Sequence, residues 1–161
     1  VRLDCKADAG LQQKKTSGGN ATMQDRLTQA DYETLAAFRH ALRRFANFST
    51  QAAHDAGLTT QQHQALLAIK GHPGAEPMAV GGLAEQLLVA PHTAAELVTR
   101  LEAGGLLVKV GDPSDRRRVG IALTPKADAA LDRLTLVHRE EVRGLAPRLM
   151  DLLRSLDAAR Q

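Results

Sequence analysis

Between Thr28 and Ala56, Leu35, Phe38, Leu42, Phe45, Ser49 and Ala52 recur at alternating steps of three and four. That spacing lines one face of a helix, and Gly57 supplies its stop. At 1.5 Å per residue such a helix is roughly 40 Å long. It outruns a small core, so it is expected to bridge to a second copy of the chain.

A second helix opens in "TTQQHQALLAIKGHPG", capped by Thr59 or Thr60. Leu66, Leu67 and Ile69 are its expected buried set, and Gly71 with Pro73-Gly74 ends it. The stretch to Pro77 reads as a loop, and Met78–Val80 is too short to assign. Leu83, Ala84 and Leu87 then predict a short amphipathic helix. Pro91 can stand in the first turn of the next, where its missing N–H costs nothing. There Ala94, Leu97, Val98 and Leu101 follow i, i+3, i+4, i+7, and Gly104-Gly105 stops the run. Two short helices joined so closely form a helix-turn-helix, and the small Ala84 permits a close crossing.

Behind them "LLVKV" and "RRVGIAL" predict a β-hairpin around a loop from Gly111 to Asp115, with Asp-Pro in the turn. Thr124-Pro125 caps another helix striped by Ala127, Leu131, Leu134 and Val137. Gly144 and Pro147 are expected to break it before a last helix carrying Leu149, Leu152, Leu153 and Leu156. Helix, helix, hairpin is the order of a winged helix-turn-helix. The fold class expected is mainly α, with long flanking dimerisation helices and a two-stranded wing.

Composition adds limits. The chain has 161 residues, of which 43% are hydrophobic, yet only Tyr32, Phe38, Phe45 and Phe48 are aromatic. Leu, Ala and Val must fill the core. The first 26 residues are rich in Lys, Gln, Gly and Ser and read as a disordered arm. The single cysteine, Cys5, excludes an internal disulfide and fits a reducing compartment. No stretch approaches the roughly 18 apolar residues of a membrane span, so no membrane partner is expected. Net charge is +3, a mild bias toward polyanions. Between Met78 and Pro125 five basic residues are matched by five acidic ones, so arrangement matters more than total charge. That arrangement sets Arg116, Arg117 and Arg118 side by side in "DPSDRRRVGIALTP".

From "LTTQQHQALLAIKGHPG" through "LAEQLLVAPHTAAELVTRLEAGGLLVKVGDPSDRRRVGIALTPKA", about residues 58–127, the chain resembles the MarR (multiple antibiotic resistance regulator) family of bacterial transcription factors. The most specific element is the hairpin, whose Asp-x-Arg core is followed by an apolar strand and Leu-Thr. The resemblance implies a homodimer whose two wings and two recognition helices grip pseudo-palindromic double-stranded DNA, most simply as a cytoplasmic, nucleoid-associated repressor released by a small effector. It divides the chain into an arm (1–26), dimerisation helices (27–57 and 125–161) and a winged helix-turn-helix lobe (58–124). It also implies that Arg117 enters the minor groove, where negative potential is enhanced, and that Asp115 orients it through an ion pair. Arg116 and Arg118 are then expected on phosphates. The ordinary alternative is a solvated turn decorated with arginines.

With Ala94, Leu97, Val98 and Leu101 buried, the recognition helix leaves His92, Thr93, Ala95, Glu96, Thr99 and Arg100 facing out. His92, Thr93 and Glu96 near its start are placed for base edges in the major groove, and Glu96 can pair with Arg100 at i, i+4. Relatives more often carry a basic residue where Glu96 stands, and a carboxylate prefers cytosine N4–H. Leu88 stands where many such turns have Gly, which implies either left-handed strain or another conformation.

Arg39, Arg43 and Phe45 are candidates for a small aromatic or anionic effector, since many relatives bind aromatic acids between the long helices and the DNA-binding lobe. The simpler reading of these arginines, with Arg44, is a solvated basic face. His92/Glu96 and His138/Glu141 have spacing a metal could use, but each pair lacks a third ligand, so they read as solvated polar faces and no metal or cofactor is expected. Some relatives sense oxidants through a cysteine in the first long helix; Cys5 precedes that helix by more than twenty residues. No nucleophile elbow, P-loop or dinucleotide fingerprint occurs, so no enzyme is expected. The alternative from another class is a winged-helix interaction module whose basic wing meets an acidic protein.

Overall fold

A capping box starts the first helix, α1 (Gln29–Asp55): the Thr28 N–H donates to Asp31 Oδ2 (2.6 Å) and the Asp31 N–H to Thr28 Oγ1 (3.3 Å). The structure, a computed structural model, describes residues 27–74, 76–111 and 119–158. The expected arm, residues 1–26, lies outside them. After α1 come α2 (Thr60–Lys70), β1 (Met78–Ala79), α3 (Val80–Leu87), α4 (Pro91–Ala103), β2 (Leu107–Gly111), β3 (Val119–Leu123) and α5 (Pro125–Ala158).

Three of these helices end alike. At the end of α1, Gly57 turns left-handed at φ +76° while the Leu58 N–H reaches Ala53 O (2.9 Å) and its own N–H reaches His54 O (2.9 Å). The same two bonds recur after α4, with Gly105 at φ +66°, Leu106 to Leu101 and Gly105 to Glu102. These are Schellman caps, and glycine enters their left-handed position without a Cβ clash. After α3 the pattern is made by a leucine. Leu88 stands at φ +54°, ψ +42°, with the Val89 N–H on Ala84 O at 3.1 Å. Of the two outcomes the sequence leaves open for Leu88, the chain takes the left-handed one.

The core lies where α2, α3, α4 and the sheet meet the first turns of α5. Leu66, Leu83, Leu97, Val98, Leu101, Leu107, Ile121 and Leu131 are all nearly inaccessible. Strand order is β1-β3-β2, antiparallel throughout, and β2 and β3 pair from Leu107↔Leu123 to Gly111↔Val119. Met78–Ala79, unassigned from sequence, adds the third strand by pairing with Ile121 and Gly120. Two residues carry no periodicity; only the open edge of β3 makes them a strand.

The long helices α1 and α5 pack along each other. Only Ala41 and Ala53 of α1 are fully buried, and Leu35 and Leu42 of its predicted stripe remain exposed. Two expectations are corrected. Leu67 is 47% exposed, and the buried face of α2 is His63, Ala65, Leu66 and Ile69, so its helical phase is turned from the one expected. Gly144 and Pro147 do not break the last helix: α5 runs unbroken for 34 residues with Pro147 inside it. Proline fixes φ near the helical value, and the one N–H it lacks can be lost without ending the flanking turns. No described helix is long and apolar enough to cross a membrane.

Candidate nucleic-acid interface

The recognition helix candidate, α4, is pinned by the four residues its spacing predicts: Ala94, Leu97, Val98 and Leu101 are buried. Pro91 occupies its first turn after Ala90. The opposite face presents His92, Ala95, Glu96, Thr99 and Arg100 to solvent, with Thr93 half-buried. Thr99 is turned back on its own helix, its hydroxyl donating to Ala95 O (3.0 Å). The expected pair of Glu96 with Arg100 is absent: among the described ion pairs none joins them. Both side chains are exposed, where such a pair gains only a few tenths of a kcal/mol, about 0.3–0.5. Arg100 instead borders a cleft of about 370 Å³ with His54 of α1 and Thr59–Gln62 at the start of α2.

The hairpin is tied to this helix. Lys109 of β2 meets Glu102 of α4 at 2.5 Å. The Thr124 hydroxyl donates to Gly105 O (2.8 Å) and Lys126 Nζ to Gly104 O (3.0 Å), fastening the end of α4 to the start of α5. Lys70 of α2 reaches Asp128 of α5 at 2.7 Å, and that carboxylate raises the lysine's pKa. The described hairpin runs from Leu107↔Leu123 at its base to Gly111↔Val119 at its loop end, with β2 fastened to the recognition helix. Asp115, Arg116, Arg117 and Arg118, the wing candidates, lie outside the described residues.

A second concavity, about 360 Å³, opens where α1, α2 and α5 converge. It is lined by Phe45, His63, Leu67, Thr135, His138, Arg139, Val142 and Arg143. Of the three effector candidates only Phe45 lines it; Arg39 and Arg43 are exposed on α1. His138, read from sequence as part of a solvated face, is half-buried. Its Nδ1–H donates to Leu134 O (2.7 Å), and its Nε2 faces Ser49 Oγ (2.9 Å). His63 is 3% exposed, and its ring centre lies 4.7 Å from that of His138. Phe48 and Phe45 present ring edges to His138 at 5.5 and 6.1 Å. Burial, then the neighbouring His138, holds the His63 imidazole below its ordinary pKa. Sequence reading overlooked His63. Its signal was a polar residue three before Leu66 and six before Ile69, on the face α2 buries.

The model of the MarR family matches residues 56–118. Among solved structures, the chain is similar to a mutant of S. aureus MepR bound to oligodeoxyribonucleotide (20% identity, TM-score 0.61, covering 84% of this chain and 100% of that one). It is similar to AbsC, a MarR family transcriptional regulator from Streptomyces coelicolor (20%, TM-score 0.65, 83% and 91%). It is likewise similar to CouR from Rhodococcus jostii RHA1 bound to p-coumaroyl-CoA (22%, TM-score 0.62, 80% and 95%). Comparison with curated proteins finds no match. At these identities the structures speak for the fold, and the family model speaks for the lobe. Residues 56–118 match the model of the MarR family, and the chain has the fold of the MarR family regulator structures it resembles.

Proposed function

We propose that this chain is a homodimeric, sequence-specific DNA-binding transcription regulator, a repressor released by a small effector. The observation that carries the reading is α4: four buried apolar residues hold it rigidly while His92, Glu96 and Arg100 are left free for a groove. In this reading His92, Thr93 and Glu96 meet base edges. Arg100, beside the start of α2, meets a phosphate, as do Arg116 and Arg118, while Arg117, oriented by Asp115, enters the minor groove. The MepR mutant structure bound to oligodeoxyribonucleotide supports DNA as a ligand for this fold.

The dimer is supported by apolar surface on the long helices. Leu35 and Leu42 on α1, and Leu136, Val137, Met150 and Leu153 on α5, are exposed in one copy. Burial in a second copy removes that surface from water at roughly 25 cal/mol per Å². CouR, bound to p-coumaroyl-CoA, supports a small organic effector. In this chain the cleft at Phe45 is the place for one. Such a regulator works in the bacterial cytoplasm, on the nucleoid.

Selection of bound duplexes from random DNA tests the reading and returns the operator. A log–log salt slope near −0.9 per phosphate neutralised is expected. Failure to retain any duplex at low ionic strength, with retention of an acidic protein instead, would overturn it.

A further inference from the structure

At the seam between α2 and the two long helices, two imidazoles lie in contact without a carboxylate among the residues lining their cleft. The two rings differ in what a proton would cost them. His138 donates from Nδ1 to Leu134 O, which can only accept, so in the neutral ring Nε2 accepts from the Ser49 hydroxyl. A proton added at Nε2 keeps a partner, because the Ser49 hydroxyl can turn and accept. His63 has no such provision. Its Nδ1 is buried and has no hydrogen-bond partner among the described residues. Whichever nitrogen takes the second proton, the charged ring would carry a buried Nδ1–H with no described acceptor, which is costlier than an unpaired nitrogen on a neutral ring.

The surroundings push the same way. From α5, the cleft is faced by His138, Arg139 and Arg143, and Arg143 is paired with Glu140 at 2.6 Å. From α1 it is faced by Phe45, with Phe48 and Ser49 on His138, none of them charged. The other elements packed on α2, which are α3 and β3, contribute no residue to the cleft lining. Every charged or titratable group lining the cleft beside His63 is thus cationic or able to become so. The cleft beside the ring also gives a proton a route from solvent.

We propose that the His63–His138 contact is a proton-operated latch between the DNA-binding lobe and the long helices. With both rings neutral, α2 is held against α1 and α5. Proton uptake at His63 drives its ring out of the seam and releases α2 to shift on the long helices. The latch rests on the geometry of the seam alone. Its consequence for DNA rests on the function proposed above, because a shift of α2 changes the spacing of two recognition helices in a dimer. Acidification is then a signal in its own right, acting through differential affinity of the two lobe positions for DNA.

The test uses the full chain at constant ionic strength from pH 8 to pH 5. Imidazole NMR shifts follow each histidine, and amide hydrogen exchange follows α2 and the facing turns of α5. His63 is expected to titrate below the ordinary imidazole range, with faster exchange along the seam as it does so. Duplex affinity is expected to fall roughly tenfold over that range, and by less than about twofold in His63→Gln, which stays neutral. His138→Gln keeps the titrating ring and removes its neighbour's charge, so His63 should titrate at higher pH there. This variant serves if His63→Gln does not fold. Seam exchange indifferent to pH, or a His63 midpoint at the ordinary imidazole value and unmoved by His138→Gln, would overturn the latch. A pH-dependent seam in a chain that binds no duplex would keep the latch and remove the DNA-binding reading instead.

Discussion

Pro77 stands so close to Gly120 that a Cβ built on the glycine would lie 2.5 Å from the Pro77 Cβ. The glycine belongs to β3, where it pairs with Ala79 on one side and Val110 on the other, so it cannot back away without breaking the sheet. Gly120→Ala is therefore expected to destabilise the chain by about 1–3 kcal/mol, the usual cost of overpacking. Urea unfolding measures it. A smaller loss in a Pro77→Gly background would identify the proline as the obstacle, and equal losses would show that it is not.

Leu88 makes the turn between the two helices of the helix-turn-helix with a left-handed backbone, and 92% of its surface is exposed. Nothing is lost by deleting that side chain, whereas a β-carbon in this conformation costs about 1–2 kcal/mol. Leu88→Gly is expected to stabilise the protein by about 1 kcal/mol. Thermal unfolding at a fixed protein concentration reads the gain. A lower melting temperature would show that Leu88 has a contact in the dimer.

Under the proposed function, Arg117→Ala should weaken operator binding by about 1–3 kcal/mol and leave the dimer intact. A gel-shift titration that superimposes on the parent's would remove Arg117 from its assigned role.

Removing residues 145–161 deletes the α5 turns that expose Met150 and Leu153, and monomers are expected. Sedimentation equilibrium decides the matter: a dimer that survives the deletion would place the interface elsewhere. Removal of residues 1–22 is expected to change neither folding nor DNA binding, and a large loss of either would make that segment structural.

Stability should also depend on pH in a set direction. His63 is held below its ordinary pKa in the folded chain and recovers about 6.5 when unfolded. The unfolded state therefore binds the proton first. The contribution of the neutral buried ring is complete above about pH 6.5 and is lost as pH falls through that value toward the folded pKa. Denaturation midpoints measured at pH 7.5 and 5.5 should draw together in His63→Gln relative to the parent. An unaltered gap would assign the acid sensitivity to other groups.

The reading of α4 from sequence held at every buried position, because a 3.6-residue period and a single apolar face leave little choice of phase. Where α2 was concerned, Leu66-Leu67 offered two adjacent leucines, and hydrophobicity alone could not say which faced inward. Packing against the sheet and the long helices turned Leu67 outward and His63 inward. The cleft at the seam stayed illegible for the same reason. Ser49, His63 and His138 are brought together from three helices, and no local spacing in the chain announces that meeting.

The order of residues alone determined the helices that have one apolar face, a threonine cap at Thr59 or Thr60, the cap at Thr124, the glycine stops and the hairpin, because each depends on neighbours within a few positions. Tertiary structure decided what depends on a surface supplied from far along the chain. It made Met78–Ala79 a strand by giving it the edge of β3. It also buried a histidine against another at the joint between lobe and long helices, since burial is a property of what packs on a side chain and not of the side chain itself.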